Sequence, residues 1–268
     1  MTGIGVNVRR DEETPLLGRS FPRPTKSRWR NRMSHEVSSS WADAVLLACY
    51  VVTGLLDSSS IQVWGTFVSM QTGNTVYVGL GLANLATTAP GPRLFKSAVS
   101  IAAFCLGSYF FALFHRSFSP KRRWVLCVSF AAQALLTVAA ALIVGAQSPG
   151  PNTDSLAWNV LVPIALMAFQ SCGQAVASRA LRHDALISVV LTSAYCDLFS
   201  DRDLFALDNV PRNRRAGAPL LLLVGVVFGG LFAQSSIGIA GALWAAAGLK
   251  LCMVAAWFMW PVEEELGD

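Results

Sequence analysis

The feature of this sequence that most constrains its fold is a series of apolar blocks, each bounded by polar residues. We count eight such blocks, at roughly 42–57, 61–86, 96–115, 124–146, 156–178, 185–200, 218–234 and 237–260. A helix that crosses a hydrocarbon core of about 30 Å needs about 20 residues, and most of the blocks approach that length. Only 14% of the 268 residues are charged, against about 25% in an ordinary soluble domain. The pattern predicts an all-α integral membrane protein, a bundle of about six to eight transmembrane segments.

The tails and loops hold most of the basic residues. Residues 1–40 are polar, rich in Arg, Pro and Ser, and contain no apolar stretch that could form the core of a signal peptide. This composition predicts a disordered tail, which the positive-inside rule places in the cytosol. We expect one transmembrane helical domain over residues 41–260 and a short acidic tail over 261–268. The net charge of +5 then comes from tail and loops, so we expect the lipid bilayer as a partner and no nucleic acid.

A short sorting pattern lies in the N-terminal tail. Glu12 precedes the pair Leu16 and Leu17 by four positions, which is the general form of an acidic dileucine signal. Adaptors can read such a signal only in a flexible cytosolic segment, as the tail composition predicts. We therefore expect sorting adaptors as partners of the tail, and a vacuolar or endosomal membrane or the plasma membrane as the location.

Loop charge separates two topologies. The loops with Lys121 and Arg179 are strongly basic, whereas the loop 147–155 carries no basic residue. If all eight blocks crossed the membrane, the loop with Lys121 would lie outside and the uncharged loop inside, against the positive-inside rule. If blocks 61–86 and 185–200 instead dip in and return, the strongly basic loops all lie inside. Both topologies stay open, because the first of these blocks is long enough to cross.

These two blocks also differ from the others in composition. Polar residues 71–75 interrupt the first, and Thr192 and Asp197 lie inside the second. Thr72 and Thr192 are 120 positions apart, and the blocks around them recur in the same order. Residues 41–116 and 156–235 could therefore form an inverted repeat, as in many transporter folds. The alternative is a likeness of composition between unrelated apolar helices.

Polar groups at membrane depth must face protein or a water-filled cavity. The candidate substrate-binding residues lie at or beside the two interruptions: Asp57, Gln71, Thr72, Gly73, Asn74, Thr192 and Asp197. Gly73 would let the helix unwind and offer backbone groups to a ligand, and the two acids could bind a cation or proton. Two structural alternatives remain. The hydroxyls and amides could simply bond between helices, and Asp57, ending the first helix, could cap the next one.

Catalytic and metal-binding patterns are not recognisable in the sequence. The six cysteines stand singly inside apolar blocks, and the three histidines lie far apart, so neither set has the spacing of a zinc site. We find no nucleophile motif, phosphate-binding glycine loop or pair of carboxylates. We therefore expect no catalytic residues, no metal, no cofactor and no enzymatic activity.

The chain resembles the YoaK-like family, a domain-of-unknown-function family of multi-pass membrane proteins. The likeness spans roughly residues 41–260, and four stretches carry it: Gly-Leu-Leu-Asp-Ser at 54–58, Phe-Val-Ser-Met-Gln-Thr-Gly-Asn-Thr-Val at 67–76, and the second-half segments 168–171 and 190–193. Ser193 stands where bacterial members usually have Gly, and the long basic tail and the basic loop at 212–215 resemble the fungal branch. The resemblance implies a multi-pass fold and brings no substrate with it.

Together the patterns favour a small-molecule or ion transporter, or a channel-like protein, with a polar site at broken helices. Arg179 could pair there with a substrate anion or with Asp197, or it could extend to the lipid headgroups. The alternative function is a non-enzymatic membrane scaffold or assembly factor that binds other helices through small-residue faces. Gly225 and Gly229 have the spacing that permits close helix contact, and the same spacing leaves a homo-oligomer open.

Overall fold

Eight helices form the fold in a computed structural model that describes residues 33–37, 42–86, 89–146, 156–181, 186–206 and 208–260. Their bounds are α1 Ala42–Trp64, α2 Gln71–Ala83, α3 Pro92–Ser117, α4 Arg123–Gly145, α5 Trp158–Ala180, α6 Thr192–Phe199, α7 Val210–Gln234 and α8 Gly238–Met259. A short 3-10 turn, Asn84–Ala86, extends α2. Over the described ranges there is no β-strand, only an isolated bridge between Glu36 and Arg122. The all-α fold class is confirmed.

Six of these helices, α1, α3, α4, α5, α7 and α8, are long and apolar enough to cross a membrane. They contain 22 to 26 residues each, and a span needs about 20. Helices α2 and α6 have only 13 and 8 residues, too few to cross. The multi-pass membrane protein expected from the sequence is confirmed. Its six long helices match the topology in which blocks 61–86 and 185–200 do not cross the membrane.

The basic loops meet at one end of the bundle, which we call the basic end. Arg214 at the start of α7 forms a 2.6 Å ion pair with Asp43 at the start of α1. The backbone N–H of Val37 donates to the carbonyl of Lys121 at 3.0 Å, which joins the segment before α1 to the α3–α4 loop. Helices α1, α4 and α7 therefore begin at the basic end, and α3, α5 and α8 end there. The opposite end, with Pro92, is the distal end.

The two short helices lie at opposite ends. Helix α2 begins beside Ser100, to which Asn74 donates at 3.0 Å, and its later residue Gly81 packs on Leu94. Both contacts fall in the first three turns of α3, so α2 starts inside the bundle and returns to the distal end. Helix α6 packs on α7 at the basic end, where Asp201 just after it pairs with Arg215 at 3.1 Å. Neither short helix crosses.

The helices of the two halves pack in matching pairs. Helices α1 to α4 of the first half correspond in order to α5 to α8 of the second. The contact of α1 with α7 corresponds to that of α5 with α3, and the contact of α2 with α3 to that of α6 with α7. The contact of α4 with α5 likewise corresponds to that of α8 with α1. Glycines bring the two main pairs into backbone contact, since Gly225 and Gly229 lie against α1 and Gly107 lies against α5. The close contact expected of the Gly225 and Gly229 spacing is confirmed, and it joins helices within the chain.

We expect single cysteines placed at Pro92 and at Lys121 to react with a membrane-impermeant thiol reagent from opposite sides of the membrane. The two positions lie at opposite ends of α3, which spans the bundle once. Labelling of intact and permeabilised cells, in a chain whose own six cysteines are replaced, measures this. Reaction of both positions from the same side would contradict the helix arrangement.

Candidate functional site

A non-helical segment, residues 65–70, follows α1. We call this interruption between α1 and α2 the break. Gly65 has a φ of 74°, in the left-handed region that glycine adopts without strain, and it turns the chain back into the bundle. The sequence placed the interruption at 71–75 instead, with Gly73 unwinding the helix. That expectation is wrong, because these residues form the first turns of α2. Gly73 is needed for space: a Cβ there would lie 2.7 Å from the ring of Phe67.

Asp57 holds the break in place. It lies within α1, which continues to Trp64, so the expectation that it ends the first helix is also wrong. One carboxylate oxygen accepts from the backbone N–H groups of Val68 at 2.8 Å and Ser69 at 2.9 Å, and the other accepts from the Ser69 hydroxyl. The side chain is 2% exposed. Asp57 thus caps the free N–H groups ahead of α2, which is the structural alternative for this residue.

Asn74 uses all of its hydrogen-bonding capacity inside the protein. Its Oδ1 accepts from the Thr66 hydroxyl at 2.8 Å and from the N–H of Phe67 at 3.0 Å. Its Nδ2 donates to the Phe67 carbonyl at 2.8 Å, to Gln71 Oε1 at 2.9 Å and to Ser100 Oγ at 3.0 Å. An amide has two acceptor sites and two donor hydrogens, so Asn74 has none left for a ligand.

Carbonyl groups of the break are satisfied by side chains from neighbouring helices. The bonds are Ser60 Oγ to Thr66 O at 2.9 Å, Ser100 Oγ to Phe67 O at 2.9 Å, Ser171 Oγ to Val68 O at 3.1 Å and Lys96 Nζ to Trp64 O at 3.3 Å. An irregular segment at membrane depth is tolerated only with such partners. The break is therefore a locked element of the fold.

A pocket of about 620 Å³ lies between α2, α3 and α5. Ser69, Gln71 and Thr72 line it at the break. The rest of its wall is mostly apolar and comes from α3, α5 and two loops: Phe104, Ser108, Ala112, His115, Arg116, Pro120, Ala175, Val176, Arg179, Ala180, Val189 and Val190. From Phe104 to Arg116 the wall follows α3 for about 18 Å. The pocket thus runs from the break to the basic end.

Positive charge gathers at the basic end of the pocket. Arg116 and Arg179 are both exposed there, and no Asp or Glu belongs to its lining in the described part of the chain. Arg179 forms no ion pair among the described residues. The pairing with Asp197 that the sequence left open is not formed, which leaves a substrate anion and the lipid headgroups as the partners named for Arg179.

The predicted site residues do not come together as one site. Gln71 and Thr72 line the pocket, while Asp57 and Asn74 lie behind it and hold the break. The two predicted residues from the second half of the chain lie elsewhere. Thr192 and Asp197 are exposed on α6, which packs on α7. We correct the single-site interpretation accordingly. In this chain α2 begins inside the bundle whereas α6 lies on α7 at the basic end, so the two sets of residues do not share a site.

Little in the sequence indicated that His115 would line a pocket. It is 3% exposed, and its Nε2 lies 3.3 Å from Ser129 Oγ. Its ring lines the pocket. The one available signal was its place next to Arg116 in the last turn of an apolar helix, where a basic pair at the membrane edge is usually explained by lipid headgroups.

Lys250, for which the sequence offered no partner, is fully buried in α8. Its ammonium group donates to Gln133 Oε1 at 2.7 Å. Gln133 Nε2 donates to Ser129 Oγ at 3.5 Å, a long bond, and Ser129 contacts His115. A chain of polar side chains therefore links the buried lysine in α8 to the pocket between α3 and α5.

Metal ligands do not cluster in the described ranges, where no group of three His, Cys, Asp or Glu side chains could hold an ion. The sorting pattern of Glu12, Leu16 and Leu17 lies outside the described residues.

Comparison with known proteins gives one family. A family model described as a protein of unknown function, DUF1275, matches residues 45–256. The match confirms the resemblance to a family of unknown function and covers the bundle from α1 to α8. No curated protein and no solved structure matches the chain.

Proposed function

Since the chain belongs to the DUF1275 family of proteins of unknown function, we propose from its own geometry that it is a membrane transporter for a small molecule. The observation that carries the proposal is the pocket between α2, α3 and α5. Its volume of about 620 Å³ falls within the range of small-molecule sites. It reaches from the basic end to the break, and Ser69, Gln71 and Thr72 add polar groups to a mostly apolar wall.

The paired packing of the two halves supports this proposal. Each half contributes three long helices and one short helix. Because three spans place the second half in the membrane with the opposite orientation, the matching contacts fit an inverted repeat. Inverted repeats with discontinuous helices near the substrate site are a common transporter architecture, in which the repeats move against each other. We assign the basic end to the cytosol by the positive-inside rule.

The segment that precedes α6 would close the pocket. Val189 and Val190 form part of the pocket wall and lie in an irregular stretch between α5 and α6. Val190 is 43% exposed, so its side chain is not fully packed in the present arrangement. The break at 65–70 would stay fixed as the floor of the pocket, while the 186–191 segment acts as its gate.

We expect Ala112→Trp to abolish ligand binding without unfolding the protein. Ala112 lines the pocket on α3, so an indole there fills the space a ligand needs. The experiment is a thermal-shift screen of solutes on the purified protein, followed by uptake of the stabilising solutes into proteoliposomes. The wild type should respond and Ala112→Trp should not.

Leu135→Trp is the matched control for this experiment. Leu135 is 69% exposed on α4, on the face turned away from the bundle, so the same indole leaves the pocket unchanged. We expect it to bind and transport like the wild type. If every stabilising solute acted equally on all three proteins, the pocket would not be the binding site, and the scaffold alternative would be favoured.

A further inference from the structure

The charged side chains among the described residues that line the pocket are all positive. Two guanidinium groups, Arg116 and Arg179, stand at its basic end, and among the described lining residues there is no carboxylate to neutralise them. Charged mouths of this kind raise the local concentration of ions of the opposite sign. The rest of the wall is largely apolar, so a bound molecule would place an apolar body against it.

His115, which lines the pocket, has a ring nitrogen without a hydrogen-bond partner. His115 is 97% buried, being 3% exposed, and its Nε2 is engaged by Ser129. Its other ring nitrogen, Nδ1, is buried with no hydrogen-bond partner in the described structure. A buried polar atom left unpaired is unfavourable. Nδ1 has no surface open to the pocket, so a ligand group bonds to it only after a small rotation of the ring.

The hydrogen bonds that link Lys250, Gln133 and Ser129 to His115 indicate whether Nδ1 of His115 is a donor or an acceptor. Lys250 is a donor, so the Gln133 atom facing it at 2.7 Å must be the carbonyl oxygen. The amide orientation then directs Nε2 of Gln133 to the oxygen of Ser129. The Ser129 hydroxyl, 3.3 Å from Nε2 of His115, can then donate to that nitrogen.

The consequence is a defined tautomer of His115. If Nε2 accepts, the neutral ring carries its proton on Nδ1. The unpaired atom is then an N–H donor, which requires an acceptor. Since the two charged side chains among the described lining residues, Arg116 and Arg179, are both positive, the acceptor that fits best is anionic.

We propose that the pocket binds an organic anion, a molecule with a carboxylate or phosphate group and an apolar body. His115 Nδ1–H donates to the anionic group, and Arg116 and Arg179 attract it at the basic end. Lys250 is a positioning residue that acts through Gln133 and Ser129 on the tautomer of His115. This inference rests on the pocket being the substrate site proposed above.

Anions of this chemistry have two sources, a soluble metabolite or the headgroup of an anionic lipid. Two experimental arms separate them, both with the full chain in nanodiscs. In one arm the lipid is phosphatidylcholine alone and phenylacetate is the added probe. In the other arm no solute is added and phosphatidate is mixed into the lipid. Thermal unfolding reports binding in both arms, because a ligand stabilises the state that binds it.

We expect phenylacetate to bind about tenfold more tightly than its neutral isostere phenylacetamide, because a charge-assisted hydrogen bond is about twice as strong as a neutral one. Phenethylamine, a cation, should not bind. Stabilisation by phosphatidate instead of phenylacetate would support the same site with a lipid as the source. Equal binding of phenylacetate and phenylacetamide, with no effect of phosphatidate, would overturn the proposal.

Two substitutions of His115 test its donor atom. The amide of His115→Asn places an N–H near the position of Nδ1, so this variant should keep the preference for the anion. The longer His115→Gln reaches toward Ser129 and leaves the Nδ1 position empty, so the preference should be lost. The opposite order of the two variants would contradict the assignment of Nδ1 as the donor.

Lys250→Met tests the positioning role with a readout that packing alone would not change. Nitrogen-15 spectra of the histidine rings distinguish the two neutral tautomers, and only three histidines contribute. The wild type should show His115 protonated on Nδ1, and Lys250→Met should show a mixture. An unchanged tautomer in a folded Lys250→Met would remove Lys250 from the proposal.

The pocket variant separates failure of this inference from failure of the proposed function. If Ala112→Trp blocks both phenylacetate and phenylacetamide and the two bind equally, the pocket is a binding site and the anion assignment is wrong. If Ala112→Trp blocks neither probe, the pocket itself is not the site, and both proposals fail.

Discussion

Asp57→Ala is expected to destabilise the protein by about 3–5 kcal/mol, because it leaves three buried donors without their acceptor at about 1–3 kcal/mol each. The carboxylate accepts three hydrogen bonds, from the N–H groups of Val68 and Ser69 and from the Ser69 hydroxyl. Alanine leaves these donors without a partner at membrane depth, where no water replaces it. Unfolding of the purified protein in detergent, followed by tryptophan fluorescence, measures the loss.

Asp197→Ala is the control for the same change of residue type. Asp197 is exposed on α6 and forms no ion pair among the described residues. Its removal should change the free energy of unfolding by less than about 0.5 kcal/mol. A stable Asp57→Ala that had lost only transport would contradict the capping role and return Asp57 to the substrate site. The result therefore decides between the two functions that the sequence left open for this acid.

Gly225→Ala is expected to separate α1 from α7 and to destabilise the protein by about 3 kcal/mol, at the upper end of overpacking effects. A Cβ at this position would overlap the carbonyl oxygen of Val51 and lie 2.9 Å from the backbone nitrogen of Leu55. Backbone atoms cannot rotate away as a flexible side chain can. The helices must therefore move apart, and the contact between the two halves loosens. Thermal unfolding in detergent measures the change.

Gly248→Ala provides the matched comparison within α8. Gly248 is exposed and helical, and a Cβ added there meets no atom within 4 Å. Because alanine favours a helix over glycine by about 0.5–1 kcal/mol, this variant should be neutral or slightly stabilised. Equal stability of Gly225→Ala and Gly248→Ala would show that the α1–α7 contact does not depend on the absence of a side chain.

These expectations divide the polar residues of the interior by task. Asp57 and Asn74 build the break, and Asn74 has no free capacity for a ligand. Thr72, His115 and Arg179 line the pocket and are the groups that a ligand would meet. Variants of the first set should lower stability, whereas variants of the second should lower binding at unchanged stability. Measuring both quantities on the same protein tests this division directly.

The sequence by itself determined the membrane-spanning architecture. Apolar length is a local property, and a helix must reach about 20 apolar residues to cross a bilayer, so a bundle of about six to eight segments could be predicted from the chain. Loop charge is also local. It indicated that two blocks were unlike the others and entered from opposite sides, and the structure places α2 and α6 at opposite ends.

Tertiary structure alone decided what the polar residues of those blocks do. The sequence could require that Asp57, Asn74 and Lys250 have partners at membrane depth, but it could not name Ser69, Ser100 or Gln133. Such partners come from other helices and depend on packing across the bundle. The break moved from 71–75 to 65–70 for the same reason, since its hydrogen bonds lie outside its own segment. His115 became a pocket residue only when α3 and α5 were placed side by side.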